Sequence, residues 1–275
     1  MSLENPPGCR QGPEGAAETR PSRPGFRLEA RDRVATLTLD RPPLNVLDIR
    51  TLRDMTAALR RTLERDEVGV VVVAGAGKAF SAGVDVGEHR PATVHEMIHA
   101  FHDFCRALLD SPVPTIARVH AAALGGGCEI VLCCDQAVAA ATARLGLPEV
   151  TLGVFPPLAA VLLARRAGIG AAARAVLWGE VLDADAALRA GLVGEVVPDT
   201  GLDERIAFLA GRAARLSSST LRLARQALRR GAEGSVEDAL RAVERIYLED
   251  LMKTEDAQEG LAAFLEKRPP VWRHK

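Results

Sequence analysis

The chain has 275 residues, enough for one large domain with an ample core, and its 48% hydrophobic and 26% charged content is that of a soluble globular protein. A net charge of −1 and 4% aromatics exclude a nucleic-acid surface built on bulk charge or base stacking. No apolar run reaches the roughly 18 residues that a membrane-spanning helix needs.

Residues 1–25 hold Pro6, Pro7, Pro13, Pro21 and Pro24 among four glycines, with almost no large apolar side chains, and are predicted to be a disordered tail. No basic-then-apolar leader pattern opens the chain. Phe26 to Glu29 and Val34 to Leu39 are predicted as paired strands ending at Arg41-Pro42-Pro43. From Asp48, an N-cap residue, Ile49, Leu52, Met55, Leu59 and Leu63 mark an amphipathic helix. Val68 to Ala74 is a continuous apolar run, the pattern of a strand buried on both faces. Gly75 to Asp85 follows as a glycine-rich loop. Its Lys78 comes too soon after Gly75 for a phosphate-binding P-loop.

Pro91 to Leu109 is predicted as a helix carrying His95-Glu96-Met97-Ile98-His99, the H-E-x-x-H spacing of zinc peptidases. Neither the metzincin glycine nor its distant third His follows. Met97, Ile98, Phe101, Phe104 and Leu108 form the core-facing stripe, which leaves His95 and His99 on a mixed face. No metal is expected, and a zinc peptidase is kept as a distant alternative.

A strand over Thr115 to Val119 feeds Ala123-Leu124-Gly125-Gly126-Gly127-Cys128-Glu129, followed by the unbroken apolar run to Cys134. Bare glycines at a helix N-terminus leave N–H groups free to face an oxyanion, with Glu129 one turn inside as acid or base. A tight turn with a salt-bridged Glu fits the same residues. Gln136 to Ala141 is a short strand. A second carboxylate in apolar company, Glu149, sits in Gly146-Leu147-Pro148-Glu149, 20 residues beyond Glu129. Asp183 caps a short helix closed by Gly191, and Val193 to Val197 is a late strand. Helices are predicted over Leu202–Leu216, Ser219–Arg230, Val236–Leu251 and Glu255–Glu266, with caps at Ser217, Ser235 and Thr254. The five cysteines (Cys9, Cys105, Cys128, Cys133 and Cys134) have no disulfide-scaffold spacing, so a cytoplasmic protein with buried thiols is expected.

Lys78 to Asp85, Ala123 to Asp135 and Gly146 to Glu149 with Gly153, taken in order, resemble the crotonase (enoyl-CoA hydratase/isomerase) superfamily. Thr254 to Gly260 and Ala263 to Arg268 resemble that family's last helix, so the similarity runs from about residue 26 to the end. It implies an α/β fold: a crotonase-like spiral of ββα units over 26–200, then a helical C-terminal trimerisation region over 201–275. It also implies an acyl-CoA substrate, no cofactor, and a homotrimer or a hexamer of paired trimers, with no nucleic-acid or membrane partner. By resemblance the amides of Val84 and Gly126 form an oxyanion hole for the thioester, Glu129 handles water, and Glu149 handles the carbon proton. Ala82, Asp85, Gly125, Phe155, Pro156 and Lys267 match substrate-binding positions, Lys267 near the nucleotide phosphates.

Ser81 to His89, the His-rich helix around His99 and His102, and Gly153-Val154-Phe155-Pro156-Pro157 resemble the cyclohexa-1,5-diene-1-carbonyl-CoA hydratases within that family. This resemblance implies water addition to a cyclic dienoyl-CoA. Linear enoyl-CoA hydratases or isomerases and ring-opening hydrolases share the scaffold. Leu145, Leu147 and His120-Ala121 depart from the linear hydratase pattern.

Overall fold

The computed structural model describes residues 24–275, so all of the expected tail up to residue 23, with Cys9, lies outside the described residues. Strands β1 (Phe26–Arg31) and β2 (Val34–Leu39) pair antiparallel across Asp32-Arg33, whose φ of 50° and 66° is the geometry of a two-residue hairpin. Helix α1 (Ile49–Leu63) starts where predicted. The Asp48 side chain accepts the Thr51 N–H, and Leu52, Met55 and Leu59 are buried.

A three-part rhythm then repeats. Strand β3 (Val70–Gly75) leads to β4 (Ala79–Ser81) and helix α2 (Val94–Leu109). Strand β5 (Thr115–Val119) leads to β6 (Ala122–Leu124) and α3 (Gly126–Cys133). Strand β7 (Gln136–Ala140) leads to β8 (Arg144–Gly146) and α4 (Pro157–Leu177), which kinks at Gly168. The chain continues through β9 (Val181–Asp183), α5 (Ala184–Arg189), β10 (Glu195–Val197) and α6 (Leu202–Ala214). It closes with α7 (Ser218–Gly231), α8 (Val236–Arg245) and α9 (Glu255–Leu265).

The first strand of each unit joins a six-stranded sheet ordered β1-β2-β3-β5-β7-β10, parallel except at the opening hairpin. The second joins a smaller sheet ordered β4-β6-β8-β9. This is the ββα spiral that the sequence resemblance implied. Every residue of β3 is buried: Val71 and Val73 enter the main core, while Val70 and Val72 meet Leu202, Ile206 and Ala210 of α6 on the other face. Period-two alternation therefore explains why the whole run is apolar.

The structure corrects several expected boundaries. Ala79–Ser81 is a buried strand inside the expected glycine loop. Its tight return is possible because Gly75 has no Cβ, which would strike the Phe80 backbone. Helix α2 begins at Val94, not Pro91, because Pro91 to Thr93 form a turn. The expected helix over Val236–Leu251 stops at Arg245 and passes into a π-turn over Ile246–Asp250 and a 3₁₀ turn over Leu251–Lys253.

Candidate active site

Two loops from successive units meet above the small sheet. The first runs from Ala82 to Asp85 and is gripped by Leu44 to Leu47. The Ala82 amide donates to the Leu44 carbonyl, Leu47 to Gly83, and Asp85 to Leu47, each at 2.9 Å. Alternation along this bridge turns the Val84 amide the other way, and among the described residues it has no protein acceptor. Asn45, buried and at φ 54°, donates from Nδ2 to the carbonyls of Ala76, Ala79 and Phe80. Ser81 Oγ donates to the Asn45 carbonyl at 2.7 Å and accepts the Gly83 amide at 3.0 Å. Asn45 and Ser81 thus fix this loop, and sequence reasoning assigned a role to neither. The Pro-Pro-Leu-Asn order, with Asn able to take positive φ, was the available signal.

The second loop is the turn from β6 into α3. Gly125 has φ 53° and donates its amide to Gly146 at 2.9 Å, while α3 begins at Gly126. A first-turn amide has no partner inside its helix, and the dipole makes that end partly positive. A Cβ on Gly126 would lie 2.8 Å from Val84 Cγ2, so the two loops touch at these residues. A Cβ on Gly127 would run into the Ser81 carbonyl. Three glycines in a row are the condition for this approach.

Glu129 lies one turn inside α3 and is 3% exposed. Its Oε1 accepts the Ala159 amide, in the first turn of α4, at 2.8 Å. Burial pushes its carboxyl up to about 7, reinforced by the nearby Glu149 charge and opposed by the Ala159 and Leu158 amides. Glu149 sits in a 3₁₀ turn, Pro148–Leu152, closed by left-handed Gly153. Burial raises its carboxyl as well. Its Oε1 lies 3.0 Å from where a Gly125 Cβ would stand, and its buried Oε2 has no hydrogen-bond partner among the described residues. Strands β7 and β8, which separate the glutamates in sequence, fold back and bring both into one cavity.

The space they share is a cavity of about 580 Å3, the size that accommodates a small organic ligand. Ala82, Val84, Gly125, Gly126, Glu129, Glu149, Phe155 and Pro156 all line it. Asp85 and Lys267 do not. The Asp85 carboxylate accepts the Gly87 amide at 2.8 Å, capping a 3₁₀ turn, and Lys267 is exposed just past α9 at φ 55°. His95 and His99 are exposed on α2, and Glu96 between them pairs with Arg53 at 2.7 Å. Among the described residues no group of three or more His, Cys, Asp or Glu side chains is placed to hold a metal. Cys105, Cys128, Cys133 and Cys134 are buried and unbridged, and burial drives the Cys128 thiol well above its ordinary range. No helix among the described residues is long and apolar enough to cross a membrane.

The arrangement brings the touching Val84 and Gly126 loops and two carboxyls whose charge is disfavoured to the lining of one largely apolar cavity. Comparison with known proteins gives the same direction. The enoyl-CoA hydratase/isomerase family matches residues 29–275. The chain is 36% identical to the cyclohexa-1,5-dienecarbonyl-CoA hydratase of Thauera aromatica, over 90% of this chain and 96% of that one. It is 37% identical to the 2,3-dehydroadipyl-CoA hydratase of Escherichia coli, over 90% and 97%. Among solved structures, an enoyl-CoA hydratase from Bacillus anthracis superposes with a TM-score of 0.87 at 31% identity, over 91% of this chain and all of that one.

Proposed function

The chain belongs to the enoyl-CoA hydratase/isomerase family, and from that premise we propose that it hydrates a cyclic dienoyl-CoA thioester. At the coarser level it is a hydro-lyase acting on CoA thioesters, as its relatives are. The observation that carries the reading is the pairing of Glu129 and Glu149 in one cavity with the Val84 and Gly126 amides.

In this mechanism the thioester oxygen sits between the Val84 and Gly126 N–H groups, which hold the negative charge that grows as the enolate forms. Such preorganised donors act most strongly in the transition state, and losing one costs about 3–4 kcal/mol of barrier stabilisation. Glu129 takes a proton from water as its oxygen bonds the β carbon, and Glu149 delivers a proton to the conjugated carbon farther out. One carboxyl must start charged and the other neutral. Burial that lifts both, with Glu129 near 7, keeps those forms close in energy. Ala82 and Gly125 lie against the acyl end, and the stiff Phe155-Pro156 wall favours a ring over a flexible chain. Asp85 serves this site by shaping the 3₁₀ turn. Lys267, outside the cavity, is proposed to approach the CoA phosphates from an adjoining subunit. A homotrimer or hexamer, seated on the exposed Leu261, Phe264 and Leu265 of α9, is the assembly we propose. The likeness to the dehydroadipyl-CoA hydratase supports a second reading, a linear enoyl-CoA substrate.

The test is incubation with a panel of cyclic and linear unsaturated acyl-CoAs, with mass-spectrometric detection of the water adduct. A higher kcat/KM on cyclohexa-1,5-diene-1-carbonyl-CoA than on crotonyl-CoA supports the cyclic reading. Equal preference overturns it in favour of the linear one, and inactivity on all members overturns hydration itself.

A further inference from the structure

Beyond the two glutamates, one more titratable side chain, His89, lines the cavity among the described residues, on the wall shared with Val86, Val94 and Ile98. Its surroundings are built to hold it. It closes the 3₁₀ turn Val86–Glu88, with its amide donating to the Val86 carbonyl at 3.1 Å. The Asp85 carboxylate caps the start of that turn, and the Glu88 carboxylate accepts the Ile49 amide at 2.9 Å, tying the turn to α1. The ring is anchored as well, with Nδ1 3.1 Å from the Asp85 carbonyl oxygen.

A carbonyl oxygen only accepts, so Nδ1 carries the ring proton and donates it. In the neutral imidazole the opposite nitrogen, Nε2, is then an acceptor. Among the described residues Nε2 has no protein partner. A fixed acceptor on an otherwise apolar wall discriminates between ligands that carry a matching donor and those that do not.

We propose that His89 is a specificity-determining residue, whose Nε2 accepts a hydrogen bond from a hydroxyl borne by the acyl group. Ring acyl groups already bearing a hydroxyl are therefore bound in preference to bare hydrocarbon rings. The inference rests on the acyl-CoA reading of the cavity but not on turnover, so it is tested with saturated ligands that the enzyme cannot hydrate.

Calorimetric titration of the full chain compares cyclohexanecarbonyl-CoA with 3- and 4-hydroxycyclohexanecarbonyl-CoA. The wild type is expected to bind at least one hydroxylated ring about tenfold more tightly than the bare ring, the worth of one good hydrogen bond. His89→Leu abolishes that preference, and His89→Gln, which restores an acceptor, recovers part of it. Equal wild-type affinity for all the rings overturns the proposal. So does an equal loss for every ligand in His89→Leu, which marks a merely structural role. A preference for adipyl-CoA that disappears in His89→Leu also overturns it, because it marks a carboxylate-binding imidazolium. Failure of hydration on the unsaturated panel alone refutes the activity and leaves these affinities to decide the role of His89.

Discussion

Glu129 Oε1 and the Ala159 amide stand 2.8 Å apart, so the carboxyl that α3 carries into the cavity is held by the first turn of α4. Below about pH 4.5 this acid is protonated in both folded and unfolded chains. Between there and about pH 7 the folded chain keeps a proton that the unfolded chain releases, so stability falls as pH rises and then levels off. The shift from 4.5 to about 7 is worth about 3 kcal/mol. Glu129→Gln keeps the acceptor for Ala159 and removes the charge. It is expected to raise the melting temperature at pH 8, with the gain vanishing toward pH 4.5, as thermal denaturation across that range measures. A gain independent of pH contradicts the buried charge.

The contact between Gly126 and Val84 gives a second expectation. Gly126→Ala places a methyl 2.8 Å from Val84 Cγ2 and 3.2 Å from Phe101, so the two amides must separate. The kcat/KM for hydration is expected to fall about 100-fold, the scale for a lost oxyanion donor. Val84→Ala alone has little effect, and Val84→Ala with Gly126→Ala recovers part of the loss. Additive losses in the double-mutant cycle argue that the residues do not share a site.

Burial raises both the Glu129 and the Glu149 carboxyl, and the nearby Glu149 charge adds to the rise at Glu129. The kcat/KM profile is expected to bend near pH 7, falling on the side where the water-activating carboxyl is protonated. Glu129→Gln removes that bend together with most of the activity, and Glu149→Gln leaves a slower enzyme in which the bend persists. A profile flat from pH 5 to 8 in the wild type contradicts a base with a raised pKa.

Long elements were legible because one periodicity dominates each: the α1 stripe, the continuous β3 run, and the Ser217, Ser235 and Thr254 caps, each of which accepts the expected first-turn amide. Strands β4, β6, β8 and β9, each of three residues, were not, because so short a run has no period to detect. Helix α4 was missed for another reason: its alanines and leucines surround the axis without forming one stripe, and Gly168 breaks it. At the site, glycines and glutamates were visible as types, while their meeting depends on β8 turning back beside β6. Asp85 was matched by motif position, yet its side chain serves the backbone. Asn45 and Ser81 were silent, since they act on carbonyls and amides rather than on substrate.

Asp256 offers a stability test away from the cavity. Its buried carboxylate accepts the Arg273 and His274 amides at 2.6 and 2.9 Å, holding the C-terminal segment against α7 and α9. Asp256→Ala leaves those amides without their partner and is expected to cost about 1–3 kcal/mol in denaturant unfolding. Unfolding that is unchanged shows that the segment is held by Trp272 instead, whose Nε1 donates to the Arg215 carbonyl at 3.0 Å.

Phe155 links the shape of the cavity to the choice of substrate. It precedes Pro156 and Pro157, the second of which begins α4, and fixed proline φ angles stiffen the wall it stands on. A flat ring gains contact area against such a wall, whereas a short linear chain can fold away from it and loses less when it is removed. Phe155→Ala is therefore expected to lower kcat/KM about tenfold for the cyclic dienoyl-CoA, the loss of about 1.4 kcal/mol of ring contact, and to change crotonyl-CoA hydration less than threefold. Because the side chain is 64% exposed, the substitution leaves the core intact, and an unchanged melting temperature separates lost recognition from lost folding. Equal losses on both substrates make Phe155 a general wall of the cavity and remove the structural basis for ring selection.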